Sequence, residues 1–450
     1  MSPTPTVDVA ALIDRSPFGT YQKLILAVAA LCVIADGLDS QLIGFAVPLM
    51  LKQWGRSREA FAPVLAAGLL GMAVGSACGG LIADRIGRRA AIIASLVVFG
   101  VGTIGVGFAP GLATVALLRF LAGLGIGGAL PSVSTFTAEF TPARSRTLVV
   151  TSSIVCVPLG GMVAGLIAGA VLPHLGWRPL FWIGGTAPLV LAAVLLAVLP
   201  ETPKFLARAD RQQPLAKLLA RMGFAVRPGV RYVEASDPHP GGHKGVRRLF
   251  QGGLAADTLL LWMAFFSCLL AIYGVFSWLP TVLGAAGWSL GTATAGLTAY
   301  NLGGVVGAVA CAAVIGRFGS RWPMLICCAG AIASAIALRF TGPEGTAAAM
   351  LLGVAVHGFC ANAVQSTMYA LCAHIYPTVV RATGTAAALT VGRLGSILSA
   401  FGGAAVMSYG GVPGYLAMLA AAMSAVFIAL ALLRGHIPRR IGVVSTAEAI

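Results

Sequence analysis

Four charged side chains interrupt the long apolar runs of this 450-residue chain, which is 58% hydrophobic and only 10% charged: Asp36, Asp39, Arg119 and Arg393. An ionisable group near the middle of a bilayer costs about 2.5–3.5 kcal/mol on insertion scales. Groups kept at that cost are typical of ion and substrate pathways. These four residues are therefore the first candidates for chemistry.

Asp36 and Asp39 lie three residues apart in one run, so a helix places them on the same side. Both are about 18–22 Å from the start of that run, close to the middle of a bilayer. Two carboxylates this close in a low dielectric do not both ionise readily. Such a pair can take up a proton on one side of a membrane and release it on the other. The alternative is a static pair, satisfied by an arginine or by backbone groups.

Arg393 lies about 17 Å from the nearer end of its run, also near the middle of the bilayer. Its planar guanidinium can hold a carboxylate through two charge-assisted hydrogen bonds. We therefore expect Arg393 to bind the anionic group of a substrate, with a permanent pairing to Asp36 or Asp39 as the alternative. Arg119 lies about 10–12 Å deep, where it can also bond carbonyl groups of neighbouring helices.

The elements that carry these residues are apolar runs long enough to cross a bilayer, which takes about 20 residues. The sequence predicts an all-α membrane protein with twelve transmembrane helices in two pseudo-symmetric six-helix halves. The twelve runs lie at 24–50, 61–83, 90–109, 112–139, 148–172, 179–200, 257–283, 292–316, 323–340, 346–374, 382–408 and 413–434. The chain then divides into an N-terminal tail (1–23), a first half (24–200), a central loop (201–256), a second half (257–434) and a C-terminal tail (435–450).

The net charge of +16 comes from basic residues in the connecting segments, without interleaved aromatic residues, which favours an anionic membrane surface over nucleic acid. Of the 30 lysines and arginines, 23 fall on the side of the termini and central loop and five on the other side. The positive-inside rule therefore places both termini in the cytoplasm. No small-residue cleavage site follows the first run, so we expect it to remain as a membrane helix.

The two halves repeat one another. GLIADRIGRR (80–89) after the second run is matched by AAVIGRFGSR (312–321) after the eighth. PARSR (142–146) after the fourth run is matched by PTVVR (377–381) after the tenth. Two duplicated halves with a site between them near the midplane are a common plan of transporters.

GLIADRIGRR, placed between the second and third runs, is similar to a signature of the major facilitator superfamily. DGLD (36–39) resembles the AspGlyxAsp signature of the aromatic acid:proton symporters within it. RFLAGLGIGGALP (119–131), RATG (381–384) and VGRLG (391–395) add further matches, and the resemblance covers about residues 20–435.

The resemblance implies proton coupling at Asp36 and Asp39, modulated by Arg119. It also implies inner-gate salt bridges at Glu139, for which a solvated helix end is the alternative. It implies a gate at the cytoplasmic signature and the segment after the fourth run, in which opposite charges latch the halves and release them. The gating residues are Asp84, Arg85, Gly87, Arg88, Arg89 and Arg144. In the second copy Gly316 replaces the acid and Ser320 one base, so we expect a weaker latch there or none.

An aromatic acid would also need ring faces for stacking and polar groups that read its hydroxyls. The aromatic and amide side chains of the seventh, eighth and tenth runs supply candidates. Together with Arg393 the predicted substrate-binding residues are Tyr273, Phe276, Tyr300, Asn301, Asn362, Gln365 and Tyr369.

The sequence thus predicts a carrier that imports a hydroxybenzoate-like carboxylate with protons across a bacterial inner membrane, working as a monomer and without a cofactor. A symporter of another small organic acid is the nearest alternative, followed by an efflux exchanger. A receptor would need a long folded cytoplasmic domain, and the central loop is short and interrupted by Gly and Pro. An enzyme is disfavoured because no metal-ligand cluster, nucleophile–base pair or Walker motif appears. The GxGxxG of Gly123, Gly125 and Gly128 lies inside an apolar run without a preceding strand, so helix packing at Gly123 and Gly127 is the interpretation we adopt.

Overall fold

The computed structural model describes residues 5–226, 229–234, 246–251, 253–341 and 345–439, with backbone only for 146–154, 246, 378–379 and 382. The outer parts of the predicted tails and much of the predicted central loop (1–4, 227–228, 235–245, 252 and 440–450) therefore lie outside the described residues. Within the described chain, eleven helices are long and apolar enough to cross a membrane.

The first half contains six of these helices. They are α2 (Thr20–Trp54), α3 (Arg58–Ile86), α4 (Arg88–Val106), α5 (Leu112–Phe140), α6 (Ala143–Leu175) and α7 (Arg178–Val198). A strand and a short helix precede them, β1 (Thr6–Asp8) and α1 (Val9–Arg15). Two short helices and a strand follow them, α8 (Pro203–Arg208), α9 (Gln212–Arg221) and β2 (Arg231–Val233).

The second half contains five long helices, α10 (Ala255–Ala285), α11 (Leu290–Phe318), α12 (Arg321–Ala337), α13 (Ala347–Ile375) and α14 (Thr378–Leu432). Within the 55 residues of α14, Gly411 has φ 57° and ψ −155°, outside the helical region, so two helices meet there at a sharp kink. Counting both, twelve membrane-crossing helices are described, and the predicted fold class is confirmed.

Small residues bring helices of the same half into close contact. A Cβ on Gly127 of α5 would lie 2.1 Å from the carbonyl oxygen of Met72 on α3. A Cβ on Gly307 of α11 would lie 2.1 Å from the carbonyl oxygen of Phe359 on α13. The packing role predicted for Gly127 is therefore confirmed, and α3 with α5 corresponds to α11 with α13 in the repeat.

The side of the bundle at which α2 begins and α14 ends is called the terminus side here, and the opposite side the far side. The described hydrogen bonds between the halves lie toward the far side. Gln41 of α2 and Asn301 of α11 form a reciprocal amide pair, with N–O distances of 3.1 and 2.7 Å. Ser408 of α14 donates to Glu59 in the first turn of α3. We call this set of contacts the far-side seam.

Part of the predicted central loop is folded, although we expected no such structure there. β2 pairs in parallel with β1, placing Thr6 opposite Arg231 and Asp8 opposite Val233. Helix α9 buries Leu215 and Leu219 completely. This part of the loop has the composition of a linker. It is nevertheless ordered by the amphipathic helix α9 and by the pairing of β2 with β1 of the N-terminal tail.

Candidate functional site

A cavity lies between the two halves, with about 600 Å³ of empty space including its opening to solvent. Both halves contribute to its wall. The lining residues are Asp36 and Ser40 of α2, Met72 of α3, Leu130 of α5, Val157 of α6, Leu269, Tyr273 and Phe276 of α10, Asn362, Gln365 and Tyr369 of α13, and Leu389 and Arg393 of α14. One acid, one base, three aromatic rings and two amides therefore converge in a largely apolar space.

Asp39 does not line this cavity and instead lies inside the first half, with no exposed surface. Arg119 of α5 donates from Nη1 to Asp39 Oδ2 at 3.2 Å, forming a buried ion pair. The hydroxyl of Thr103 on α4 donates to the other carboxylate oxygen, Oδ1. Both oxygens of Asp39 are thus occupied by donors from two other helices.

Asp36 is on the cavity wall, and only 5% of it is exposed. Its Oδ1 is buried and has no hydrogen-bond partner among the described residues. Arg393 is the cation that acts on this carboxylate, from the α14 side of the cavity. The two aspartates, three residues apart in sequence, therefore have different surroundings.

Arg393 is held by an aromatic ring of the cavity wall. Its Nη1 donates to the phenol oxygen of Tyr273 at 2.8 Å. The guanidinium carbon lies 5.6 Å from the centre of the Tyr273 ring, within the range of a cation–π contact. This arrangement orients the guanidinium beside the space where a carboxylate would bind.

The predicted aromatic residues form a chain of edge-to-face contacts. Tyr273 and Phe276 have ring centroids 5.6 Å apart, and Phe276 and Tyr300 have centroids 5.9 Å apart. Tyr300 is fully buried behind Phe276 and does not line the cavity. The ring of Tyr369 packs edge to face on that of Phe265, with centroids 5.6 Å apart. Tyr369 also lines the cavity, from α13.

The predicted amides are in two different places. Asn362 and Gln365, on one side of α13, line the cavity. Asn301 lies in the far-side seam, paired with Gln41, and does not line it. Gln41, Thr103 and Ser40 were missing from our prediction, because a single polar residue in an apolar run gives no pattern that distinguishes a site from packing.

The predicted gating residues cluster at the terminus side of the first half. Arg88 pairs with Asp84 on the preceding turn, and its Nε lies 3.7 Å from Glu139 Oε1. Glu139 thus belongs to this network. The turn between α3 and α4 is made by Gly87, whose φ of 99° favours glycine.

Three further contacts connect the predicted gating residues to neighbouring segments. Glu201 Oε1 accepts from the backbone N–H of Arg89 at 3.1 Å, and Arg89 Nη2 donates to the carbonyl of Leu196 at 2.5 Å. Arg144 donates to the carbonyl of Ser16 in the N-terminal tail at 3.3 Å. Arg85, in the last turn of α3, is exposed.

In the second copy of the signature, Ser320 binds the C-terminal tail. Its hydroxyl lies 3.2 Å from Nδ1 of His436 and accepts from the N–H of Ile437 at 2.9 Å. The N–H of Ser320 in turn donates to the carbonyl of Ile437 at 3.0 Å. Ser320, which stands where the first copy of the signature has a basic residue, therefore holds the C-terminal tail in place.

Comparison with known proteins gives consistent matches along the chain. A family model described as Major Facilitator Superfamily matches residues 29–400. A gallate transporter of Pseudomonas putida is 34% identical over 434 residues, covering 96% of this chain and 95% of that protein. The 4-hydroxybenzoate transporter PcaK of Pseudomonas aeruginosa is 34% identical over 406 residues, covering 90% of each chain.

Among solved structures, a crystal structure of a D-xylose-proton symporter superposes with a TM-score of 0.72 at 17% identity, covering 93% of this chain and 99% of that chain. At this identity the likeness concerns the fold alone.

Proposed function

Because this chain belongs to the Major Facilitator Superfamily, which makes it a multi-pass membrane carrier and not an enzyme, we propose that it imports a hydroxybenzoate-like aromatic carboxylate by proton symport. The membrane is the inner membrane of a bacterium, both termini are cytoplasmic, and the proton is the coupling ion, with no cofactor. The functional unit is the monomer.

The observation that carries the proposal is the position of Arg393 on the wall of an aromatic cavity. A guanidinium oriented by Tyr273 offers two parallel donors to a carboxylate. Tyr273, Phe276 and Tyr369 offer ring faces and edges to the aromatic part of the ligand. Relatives named for gallate and for 4-hydroxybenzoate support the substrate class.

The amides of the cavity supply the remaining specificity. Asn362 already donates to the carbonyl of Gly358 at 3.0 Å, which leaves its side-chain oxygen as an acceptor for a ring hydroxyl. Gln365 lies three residues further along α13 on the same wall. A hydroxylated ring therefore fits this cavity better than an aliphatic acid of the same charge.

Alternating access follows from the arrangement of the two halves. The far-side seam joins them, while the charged network of Arg88 lies wholly within the first half. With the terminus side in the cytoplasm, this is the arrangement of a carrier closed to the outside. Opening the seam and closing the terminus side then exposes Arg393 to the external solution.

The test is uptake of radiolabelled 4-hydroxybenzoate into proteoliposomes with an acidic external solution. We expect accumulation that collapses when a protonophore is added, and that is inhibited by gallate and benzoate but not by xylose. Folded protein that binds no aromatic acid would contradict the substrate class. Accumulation that survives the protonophore would contradict proton coupling.

A further inference from the structure

The two aspartates of α2 point toward different parts of the molecule. Three residues along an α-helix correspond to a rotation of about 300°, so side chains at these positions diverge by about 60°. The rotation of α2 is fixed by close packing on α6, because a Cβ on Gly37 would lie 2.1 Å from the carbonyl oxygen of Val157. Asp39 therefore faces α4 and α5, and Asp36 faces the cavity between the halves.

The site of Asp39 is complete without a proton. Thr103 and Arg119 donate to its two oxygens, and the side chain has no exposed surface. An ionised carboxylate only accepts hydrogen bonds, so two donors suit the charged form. Protonation of Asp39 would leave Arg119 buried without its anion, which is strongly unfavourable.

The site of Asp36 is incomplete. One of its oxygens has no partner among the described residues, and the side chain borders the cavity that any substrate must enter. The groups that share the cavity wall with it are Arg393 from α14 and the phenols of Tyr273 and Tyr369 from α10 and α13. Asp39, a nearby charge on its own helix, faces away from the cavity. Among the described residues that line the cavity, Arg393 is the only cation, so Asp36 and a bound carboxylate compete for it.

We propose that the two aspartates have separate functions: Thr103 and Arg119 hold Asp39 as a permanently ionised anchor, and Asp36 binds the transported proton. This inference rests on the proposed symport. With an empty cavity, the charges of Asp36 and Arg393 cancel. Entry of one substrate carboxylate adds one negative charge, and one proton from the external solution, forming an O–H bond on Asp36, restores neutrality. On the inner side the substrate leaves, the O–H bond breaks and releases the proton, and the charge of Asp36 again balances that of Arg393.

Thr103 is on this account a positioning residue, since it touches neither substrate nor the transported proton. Its hydroxyl keeps Asp39 ionised and turned toward Arg119. Thr103→Val keeps the shape but removes the donor, which slows transport by about tenfold, the size of one hydrogen bond to a charged group. In Thr103→Val, Asp39 has lost one donor and competes with Asp36 for protons. The pH profile of transport therefore extends to higher pH than in the wild type. Thr103→Ser restores both the rate and the profile.

The experiment compares two assays on the full-length protein in proteoliposomes. The first is gradient-driven accumulation of 4-hydroxybenzoate, and the second is counterflow at equal pH, which exchanges substrate without net proton movement. We expect Asp36→Asn to accumulate nothing above the protonophore-treated wild type while it still exchanges substrate, now independently of pH. We expect Asp39→Asn to lose both activities, because Arg119 is left unpaired.

The double variant Asp39→Asn/Arg119→Gln separates anchoring from proton binding even where Asp39→Asn alone does not fold. It removes the buried charge pair, so we expect counterflow to return together with gradient-driven accumulation. Counterflow without accumulation in the double variant, or accumulation by Asp36→Asn, would overturn the assignment. If the wild type itself shows no counterflow of 4-hydroxybenzoate, the proposed substrate is rejected. This outcome is distinct from those that overturn the assignment of the two aspartates.

Discussion

Among single residues, Arg393 has the most specific geometry, since one side chain supplies both charge and orientation. Replacing it with lysine keeps the charge but removes the planar pair of donors. We expect Arg393→Lys to raise the KM for 4-hydroxybenzoate by at least about tenfold, the equivalent of one charge-assisted hydrogen bond. Arg434→Lys, an exposed arginine beyond α14, is the matched control. An unchanged KM in Arg393→Lys would argue against bidentate binding.

Tyr273 orients that guanidinium through a hydrogen bond of 2.8 Å. Tyr273→Phe keeps the ring face and removes only the phenol oxygen. We expect the KM to rise by about three- to tenfold, while protein stability changes little. The measurement is initial uptake rate against substrate concentration, with Tyr409→Phe as control because Tyr409 is 95% exposed. Equal effects of the two substitutions would show that Tyr273 does not position Arg393.

The intramembrane charges could be found from sequence because their cost makes them conspicuous in an apolar chain. Asp36 was predicted to couple protons and Arg393 to bind the anionic group of the substrate, and the structure places both on one cavity wall. Thr103 and Gln41 could not be found, because a hydroxyl or an amide in a membrane helix usually bonds its own backbone. Their partners lie 64 and 260 residues away, and no local pattern encodes such pairs.

Among the helices, the close contact of α3 with α5 is possible because Gly127 has no side chain. A Cβ on Gly127 would lie 2.1 Å from a backbone oxygen, which cannot move aside as a flexible side chain does. We expect Gly127→Ala to destabilise the protein by about 1–3 kcal/mol, as overpacking does. Thermal unfolding in detergent measures this. Gly169→Ala is the control, since its Cβ would meet nothing within 4 Å, and an equal loss there would contradict the contact.

The docked C-terminal tail should depend on pH. Burial lowers the pKa of His436, and Arg321 acts in the same direction, while a hydrogen bond to Leu430 and the charge of Asp257 oppose them. A released tail therefore binds a proton more readily than a docked one, so docking weakens as the pH falls below about 6.5.

Hydrogen exchange of residues 433–439, corrected for intrinsic rates, measures this docking. We expect faster exchange at pH 5.5 than at pH 7.5, and no such difference in His436→Asn. Protection that is independent of pH in the wild type would show that His436 does not control docking.

Twelve helices were predictable because each apolar run is about as long as a bilayer is thick. The folded part of the central loop was not, because its order comes from pairing with the distant N-terminal tail. β1 and β2 are three residues each, too short to give an alternating pattern. Many helices extend beyond the predicted apolar runs, because polar residues at their ends continue the helix.

For the whole molecule, the far-side seam joins the two halves on one side of the cavity, and the proposed transport cycle requires it to open. A Cβ on Gly44 of α2 would lie 1.9 Å from the carbonyl oxygen of Phe276 on α10, so a larger residue prevents the halves from meeting. We expect Gly44→Leu to bind 4-hydroxybenzoate but to lose both uptake and counterflow. Gly284→Leu is the control, because a Cβ there meets nothing within 4 Å. Retained counterflow in Gly44→Leu would exclude the seam from the transport cycle.

Pseudo-symmetry was predictable from the repeated signatures, whereas the state of the cavity was not. A two-state carrier has arrangements that differ by only a few kcal/mol, and no pattern in the sequence selects between them. The hydrogen bonds of Gln41 with Asn301 and of Ser408 with Glu59 belong to the arrangement described here.

The strand pair of β1 and β2 has a consequence for expressing the protein as two pieces. β2 pairs with β1 of the N-terminal tail and α8 contacts α1, so we expect this folded part of the central loop to stay with the first bundle. A cut directly after α7 would separate β1 from its partner strand β2 and expose Leu215 and Leu219. Co-expressed fragments should therefore complement each other best when the first one runs through Val233 and the second begins before α10.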